Sequence, residues 1–225
     1  MRGIPGVAVV RLAAYRRELA DLLRREEATV SSSELASRLG VNAATVRRDL
    51  SRLGSYGLRG TGYDVAHLLA RVDAALALDR DWPVAIVGVG NLGRALAGSR
   101  GFTSDGFRVV ALVDVDPRVV GSRVGTTLVE HLDDLPAIVA REHVAIGIVA
   151  TPASAAQHVV WRLAEAGVRS ILNFAPAHLE VPEGVAVRHV DLAVELQVLA
   201  YFGAHGEARR LDRSRPRPAA AAGPR

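Results

Sequence analysis

Residues 84–98, VAIVGVGNLGRALAG, constrain what this chain can fold into more tightly than any other stretch. An apolar run of strand length leads directly into glycines at 88, 90 and 93, and a helix-forming segment follows. Three glycines at G-x-G-x-x-G spacing mean little alone; a strand before and a helix after make them a dinucleotide fingerprint. Gly88 permits the tight turn, and Gly90 lets the backbone approach a pyrophosphate. Gly93 lets helix and strand pack closely, while Asn91 and Leu92 open the helix whose positive end faces the phosphates. The next apolar run ends at Asp114, about 20 residues beyond the last glycine, where a carboxylate accepts ribose hydroxyls and repels a 2′-phosphate. That favours NAD over NADP, although Arg118 nearby leaves room for the phosphorylated form. The plain alternative is a glycine turn with an incidental acid after a strand.

The rest of the C-terminal part agrees with this start. Apolar runs at 84–87, 109–113, 144–150 and 170–174 are continuous rather than alternating, as in strands of a parallel sheet buried on both faces. Helical stretches at 91–99 and 152–167 lie between them, so the fold class is α/β with a doubly wound parallel sheet. Residues 192–202 are apolar except for Glu195 and Gln197. A helix of that composition must be covered on more than one side, by a second subunit or within its own chain; a strand is the other reading. The segment from Arg213, RSRPRPAAAAGPR, has the composition of a disordered tail.

The first 80 residues have a different character. Pro5 starts a helix with Leu12, Tyr15, Leu19, Leu22 and Leu23 at helical period. Ser31 and Glu34 stand at capping-box spacing before Leu35, Ala36 and Leu39, with Gly40 as the stop. Asn42 caps the next helix, AATVRRDLSRL, to give a helix-turn-helix. Its outer face carries Thr45, Arg47, Arg48, Ser51 and Arg52, which can reach phosphates and guanine edges, while Val46, Leu50 and Leu53 turn inward. SYGLRGTGY, with three glycines, reads as a β-hairpin wing or a loop. Arg59 on such a wing can enter a minor groove. Asp64 caps a further apolar-periodic helix, and DRDWP at 79–83 marks the domain boundary. A small helical bundle for dimerisation or substrate binding is the competing view of this region.

Charge follows the same division. Residues 1–80 hold 13 arginines against 9 acids, residues 81–204 hold 9 against 13, and the last 21 hold 6 against 2. A basic head on an acidic body suits an anionic partner for the head. With 49% hydrophobic and 23% charged residues the chain is globular, and no apolar run is long enough for a membrane span. Cysteine is absent, which removes disulfides, thiolate metal sites and cysteine nucleophiles and makes a cytoplasmic protein the default. A dehydrogenase needs a proton donor near the nicotinamide. The chain has no lysine, its seven histidines form no motif, and His178 is the one near the strand ends. No separate domain remains to build a substrate pocket. A sensor is therefore the reading, with no catalytic residue and no metal; a small NAD-dependent dehydrogenase with an N-terminal dimerisation domain is the alternative.

These residues together resemble the Rex-type redox-sensing transcriptional repressors of bacteria. The resemblance spans roughly residues 4–205 and rests on Pro5, Tyr15 and Arg17, VRRDLSRLGSYGLRGTGY at 46–63 and GVGNLGRAL at 88–96. It continues through DVDP at 114–117, Thr151-Pro152, LNFAP at 172–176 and VDL at 190–192. It implies a winged-helix DNA-binding domain over 1–80, a Rossmann domain binding NADH or NAD⁺ over 81–190 and a swapped dimerisation helix over 191–206, which leaves 207–225 as the tail whose composition reads as disordered. It further implies a homodimer that reads an inverted-repeat operator in double-stranded DNA and releases it when NADH binds. Thr151, Pro152, Asn173, Phe174 and Asp191 would join the fingerprint and Asp114 at the cofactor. Tyr56, Arg47, Arg48 and Arg59 would face DNA, and Arg17 would pair with Asp191 between domains. The chain departs from the family at one place. A tyrosine that covers the nicotinamide, just before a Gly-Phe pair, is replaced by Ser99 in AGSRGF. Either another residue covers the ring, or the two redox forms are discriminated less sharply.

Overall fold

The structure is a computed structural model that describes residues 4–54, 57, 62–99 and 106–205. It divides into two compact units, one ending at Asp79 and the other beginning at Arg80. Tyr56, Arg59 and the residues from 206 to the C-terminus lie outside the described residues, so the wing tip and the tail are not placed.

In the first unit α1 (Gly6–Arg24) follows Pro5 and buries Ala8, Leu12, Tyr15, Leu19 and Leu22 along one stripe. Helix α2 (Ser32–Leu39) begins where the Ser31 hydroxyl accepts the Glu34 N–H at 3.0 Å, and it stops at Gly40, whose φ of 63° is left-handed. The predicted cap at Asn42 starts α3 (Ala43–Ser51), with its side chain accepting the Ala44 N–H at 2.7 Å. Two short strands, β1 (Thr29–Val30) and β2 (Tyr63–Asp64), pair antiparallel and form the base of a ribbon flanking the helix-turn-helix. Asp64 then caps α4 (Val65–Ala75), which lies against α1. Leucines and valines from all four helices, with Tyr15, close one core.

One charged side chain sits inside that core. The Asp49 side chain is 0% exposed, although it belongs to the helix expected to face DNA. Arg11 of α1 grips it twice, Nε to Oδ2 at 2.6 Å and Nη2 to Oδ1 at 2.9 Å. The Tyr15 hydroxyl donates to Oδ2 at 3.0 Å, and Arg52 reaches Oδ1 at 3.3 Å. Burial, then the neighbouring carboxylate, pushes the Tyr15 hydroxyl well above its ordinary pKa, so it stays a donor. Arg16 of α1 pairs with Asp73 of α4 at 2.7 Å, and Arg71 of α4 donates to the Leu53 carbonyl just beyond α3. The reading helix is thus tied to α1 from below and to α4 at its end.

The second unit is a seven-stranded sheet among the described residues, in the order β5-β6-β4-β3-β7-β8-β9. The strands are β3 (Trp82–Val87), β4 (Phe107–Asp114), β5 (Arg123–Val124), β6 (Thr127–His131), β7 (Ile146–Val149), β8 (Ser170–Asn173) and β9 (Ala186–His189). β5 and β6 form an antiparallel hairpin, and every other neighbouring pair is parallel. Numbering the parallel strands in chain order gives 3-2-1-4-5-6, the doubly wound dinucleotide-binding arrangement. Alternation along β3 explains the continuous apolar runs. Ala85 and Val87 point to a core shared with α6 (Leu135–Glu142) and α7 (Ala153–Glu165), while Val84 and Ile86 point to the side carrying Leu96 of α5 (Asn91–Ala97). Residues 192–204 are a helix, α8 (Leu192–Ala204), rather than a strand.

Replacing Asp49 by alanine would strand Arg11 and the Tyr15 hydroxyl inside the first unit. The expected cost is about 3–5 kcal/mol, as for other broken buried ion pairs. Urea unfolding followed by circular dichroism checks this, and a loss below about 1 kcal/mol would contradict a buried tie of this kind.

Candidate functional site

The order of the sheet reverses between β3 and β7, and the C-terminal ends of these two strands are where a crevice opens in such sheets. Val87 lies opposite Val113 on one side and Val149 on the other. Gly88 leaves β3 with a φ of 96°, and a Cβ there would stand 2.6 Å from the Ala150 carbonyl oxygen and 2.9 Å from Thr151 Cγ2. A Cβ on Gly93 would stand only 1.9 Å from the Gly88 carbonyl oxygen, so α5 can begin over the end of β3 because both residues are glycine. Gly90 differs. It is exposed, it caps α5 without a side-chain bond, and a Cβ on it would meet nothing within 4 Å. The space beside it is open, and the first-turn N–H groups of α5, from Asn91 and Leu92, are available to an acceptor.

Asp114 ends β4 beside this loop. Its Oδ2 accepts the Val89 N–H at 2.6 Å, and its Oδ1 accepts those of Val115 at 2.7 Å and Asp116 at 3.0 Å. A carboxylate offers about four acceptor positions, so roughly one remains on Oδ2 for an incoming hydroxyl, against the pair of hydroxyls anticipated from sequence. Asp114 is first of all the clamp on the glycine loop. Arg118 forms a bidentate pair with Asp116 at 2.7–3.1 Å, and that pairing holds the Asp116 carboxyl down at about 2. The Arg118 charge is thus paired at the surface, where such a pair is weak.

On the opposite side of the crevice lie Thr151, Pro152 and the loop after β8. The Thr151 hydroxyl oxygen is buried and has no hydrogen-bond partner among the described residues. A buried polar atom left so calls for a further partner, since burial without a bond is costly, and a ligand in the crevice is one. Phe174 is half-buried against the α5-side core, and Pro152 caps α7 without a side-chain bond. Asn173, anticipated as a ligand contact, is fully buried with its carboxamide engaged by Ala175 and His189. It shapes the loop from beneath. Open space at Gly90, a residual acceptor on Asp114 and an unpartnered hydroxyl at Thr151 fit a dinucleotide laid across the strand ends. His178, the histidine near the strand ends, is exposed, as are His143 and His158.

The helix-turn-helix face is laid out much as its spacing predicts. Arg47, Arg48, Ser51 and Arg52 are exposed and Thr45 is half-buried, while Val46 and Leu50 face the core. Arg47 also reaches the Ser32 hydroxyl at 3.2 Å, which fixes its direction across α2. Arg52 is shared with Asp49, and the Ser51 hydroxyl donates to the Arg48 carbonyl at 2.8 Å. Asp49 was missed from sequence, yet it falls three residues after Val46 and four before Leu53, on the inward stripe. Arg17 is exposed on α1. Asp191 caps α8, its Oδ1 accepting the N–H groups of Ala193 at 2.9 Å and Val194 at 3.2 Å. Among the described residues no acid, histidine or cysteine cluster could hold a metal, and no helix is long and apolar enough to cross a membrane.

Comparison with known proteins gives the same division. A family model for a CoA binding domain matches residues 79–177, and a model for a DNA-binding protein N-terminus matches residues 3–51. The redox-sensing transcriptional repressor Rex of Streptomyces griseus is 56% identical over 200 residues, covering 89% of this chain and 79% of that protein. A crystal structure of RSP in complex with β-NAD⁺ and operator DNA superposes with a TM-score of 0.85 at 34% identity, covering 92% of this chain and 95% of that one. RSP in complex with β-NADH gives 0.81 at 32% identity over 91% and 96%. Its relatives are named repressors rather than enzymes, and the chain belongs to the Rex family of redox-sensing transcriptional repressors.

Proposed function

We propose that this chain is a homodimeric cytoplasmic repressor that holds an inverted-repeat operator and releases it when NADH binds. One observation carries the reading: the same chain joins a helix-turn-helix with an exposed arginine face to a dinucleotide crevice that has an unpartnered hydroxyl and no catalytic set among its described residues. The RSP structures, one with NAD⁺ and operator DNA and one with NADH, support it by family relationship.

In this reading Gly88, Gly90, Asn91, Leu92 and Gly93 cradle the pyrophosphate, and Asp114 takes a ribose hydroxyl. Thr151, Pro152 and Phe174 border the nicotinamide, with Thr151 donating its free hydroxyl, while Asn173 braces the loop instead of touching the ring. Oxidised nicotinamide carries a positive charge that the reduced ring lacks. Apolar contact with Pro152, Phe174, Ala175 and Pro176 would disfavour the charged form by desolvation. Whichever form prefers the DNA-incompetent arrangement weakens operator binding by the factor by which DNA weakens its own binding.

Dimerisation rests on α8. None of its residues is buried, and Leu192, Leu196, Leu199 and Tyr201 are 56–66% exposed. Apolar surface on that scale is covered by a partner. Helix α1 offers a matching stripe in Val7, 71% exposed, and Val10. Val10 lies about two turns before Arg17, and Leu199 about two turns after Asp191. Laid antiparallel, α8 of a second copy would set its leucines on these valines and Asp191 beside Arg17.

The direct test is gel-shift binding to a duplex selected by the protein from a random pool. NADH should release the duplex and NAD⁺ should not; equal indifference to both removes the sensor reading. Gly90→Ala should unfold like the wild type, because its Cβ meets nothing, yet bind NADH at least tenfold more weakly by calorimetry. Unaltered NADH affinity would place the pyrophosphate elsewhere. Arg48→Ala should weaken operator binding and reduce the salt slope by about one ion, and an unchanged slope would take Arg48 out of the contact set. Leu196→Arg should sediment as a monomer and lose the operator; a variant that remains dimeric would show that α8 is not the dimer contact.

A further inference from the structure

Two polar side chains are buried among the described residues, and they stand at two different joints. Asp49 ties the reading helix to α1. Asn173 has no exposed surface and sits at the end of β8, between the loop that borders the crevice and the strand that leads to α8.

Its carboxamide faces both ways. Oδ1 accepts the Ala175 N–H at 3.0 Å and Nδ2 donates to the Ala175 carbonyl at 2.8 Å, which closes the turn carrying Phe174. Nδ2 also faces His189 Nδ1 at 3.2 Å, at the end of β9. A carboxamide nitrogen is only a donor, so the His189 ring accepts on Nδ1 and keeps its own proton on Nε2. The Asn173 backbone carbonyl accepts the Val190 N–H at 2.9 Å. Asp191, the α8 cap, follows at once. A hydrophobic side chain could fill this volume; a carboxamide in this position bonds two elements to each other, its own end fully buried and the His189 ring at the surface.

We propose that Asn173 is a positioning residue whose carboxamide couples the Phe174 loop to the Asp191 cap of α8 through His189. The inference rests on the functional reading above. A loop that closes on the reduced ring shifts Ala175; Asn173 passes the shift to the end of β9, and Asp191 carries it into the dimer helix. His189 is exposed on an outer strand, so altering it leaves the core intact.

The test measures operator affinity with and without saturating NADH, using the selected duplex, and NADH affinity of the DNA-free protein by calorimetry. In the wild type NADH should weaken operator binding by a factor of about 5–150. In His189→Ala that factor should fall about fivefold, the worth of one neutral hydrogen bond. Operator affinity without ligand and NADH affinity should each stay within about twofold. His189→Asn, which presents a carboxamide oxygen close to the place of Nδ1, should restore the factor. Asn173→Ala should lose the coupling altogether; should that variant fail to fold, the His189 pair still decides. A wild type that responds to NADH with an unchanged factor in His189→Ala overturns this inference alone. So does a loss in His189→Ala that His189→Asn does not restore. A wild type whose operator binding ignores NADH overturns the functional reading and this link with it.

Discussion

Gly93 packed against the Gly88 carbonyl is the contact on which the crevice depends. No side chain fits between them, and none fits between Gly88 and the Ala150 carbonyl. These two close approaches bring the start of α5 over the end of β3 and the exits of β3 and β7 together. Asp114 then fixes Val89 by a charge-assisted bond from the neighbouring strand. The loop is therefore held in shape by the chain's own groups. What it leaves open is the Gly90 side, so a dinucleotide meets a preformed cradle and little ordering of the loop opposes binding.

The same economy of motion appears in the first unit. Arg11 and Tyr15 hold Asp49 from α1, Arg71 holds Leu53 two residues beyond α3, and Arg16 pairs with Asp73. Breaking the buried tie at Asp49 is costly, so the unit holds its shape. In the proposed reading a ligand in the crevice therefore acts on where the reading heads stand and not on their shape. In that reading α8 is the element that transmits such a change, since its apolar surface is left uncovered among the described residues.

Much of this was legible in the sequence, for reasons that also explain the misses. The strands β3, β4, β7 and β8 are covered on both faces, so their apolar runs are unbroken and easily seen. β6 and β9 were not anticipated: TLVEH buries only Val129, and AVRH in the outermost strand buries nothing fully, so neither shows the continuous pattern. Caps at Ser31, Asn42 and Asp64 fell where short polar side chains precede apolar periodicity, because each bond is local. The site was less readable wherever a side chain serves the protein before it serves a ligand. Asp114 carries the fingerprint signature but three backbone N–H groups already occupy it, and Asn173 belongs to a cofactor-end motif yet is sealed beneath it. Long-range partners such as Arg11 for Asp49 leave no spacing to detect.

The central claim is that the redox state of a bound dinucleotide sets the separation of the two reading heads. The chain contains no cysteine, so Ser33→Cys on the exposed side of α2 gives one spin label per protomer. Pulsed electron–electron resonance then reports the distance between the two heads directly. The account predicts one distance distribution with NAD⁺ and operator DNA and a displaced one with NADH. Superimposable distributions under the two conditions would contradict it.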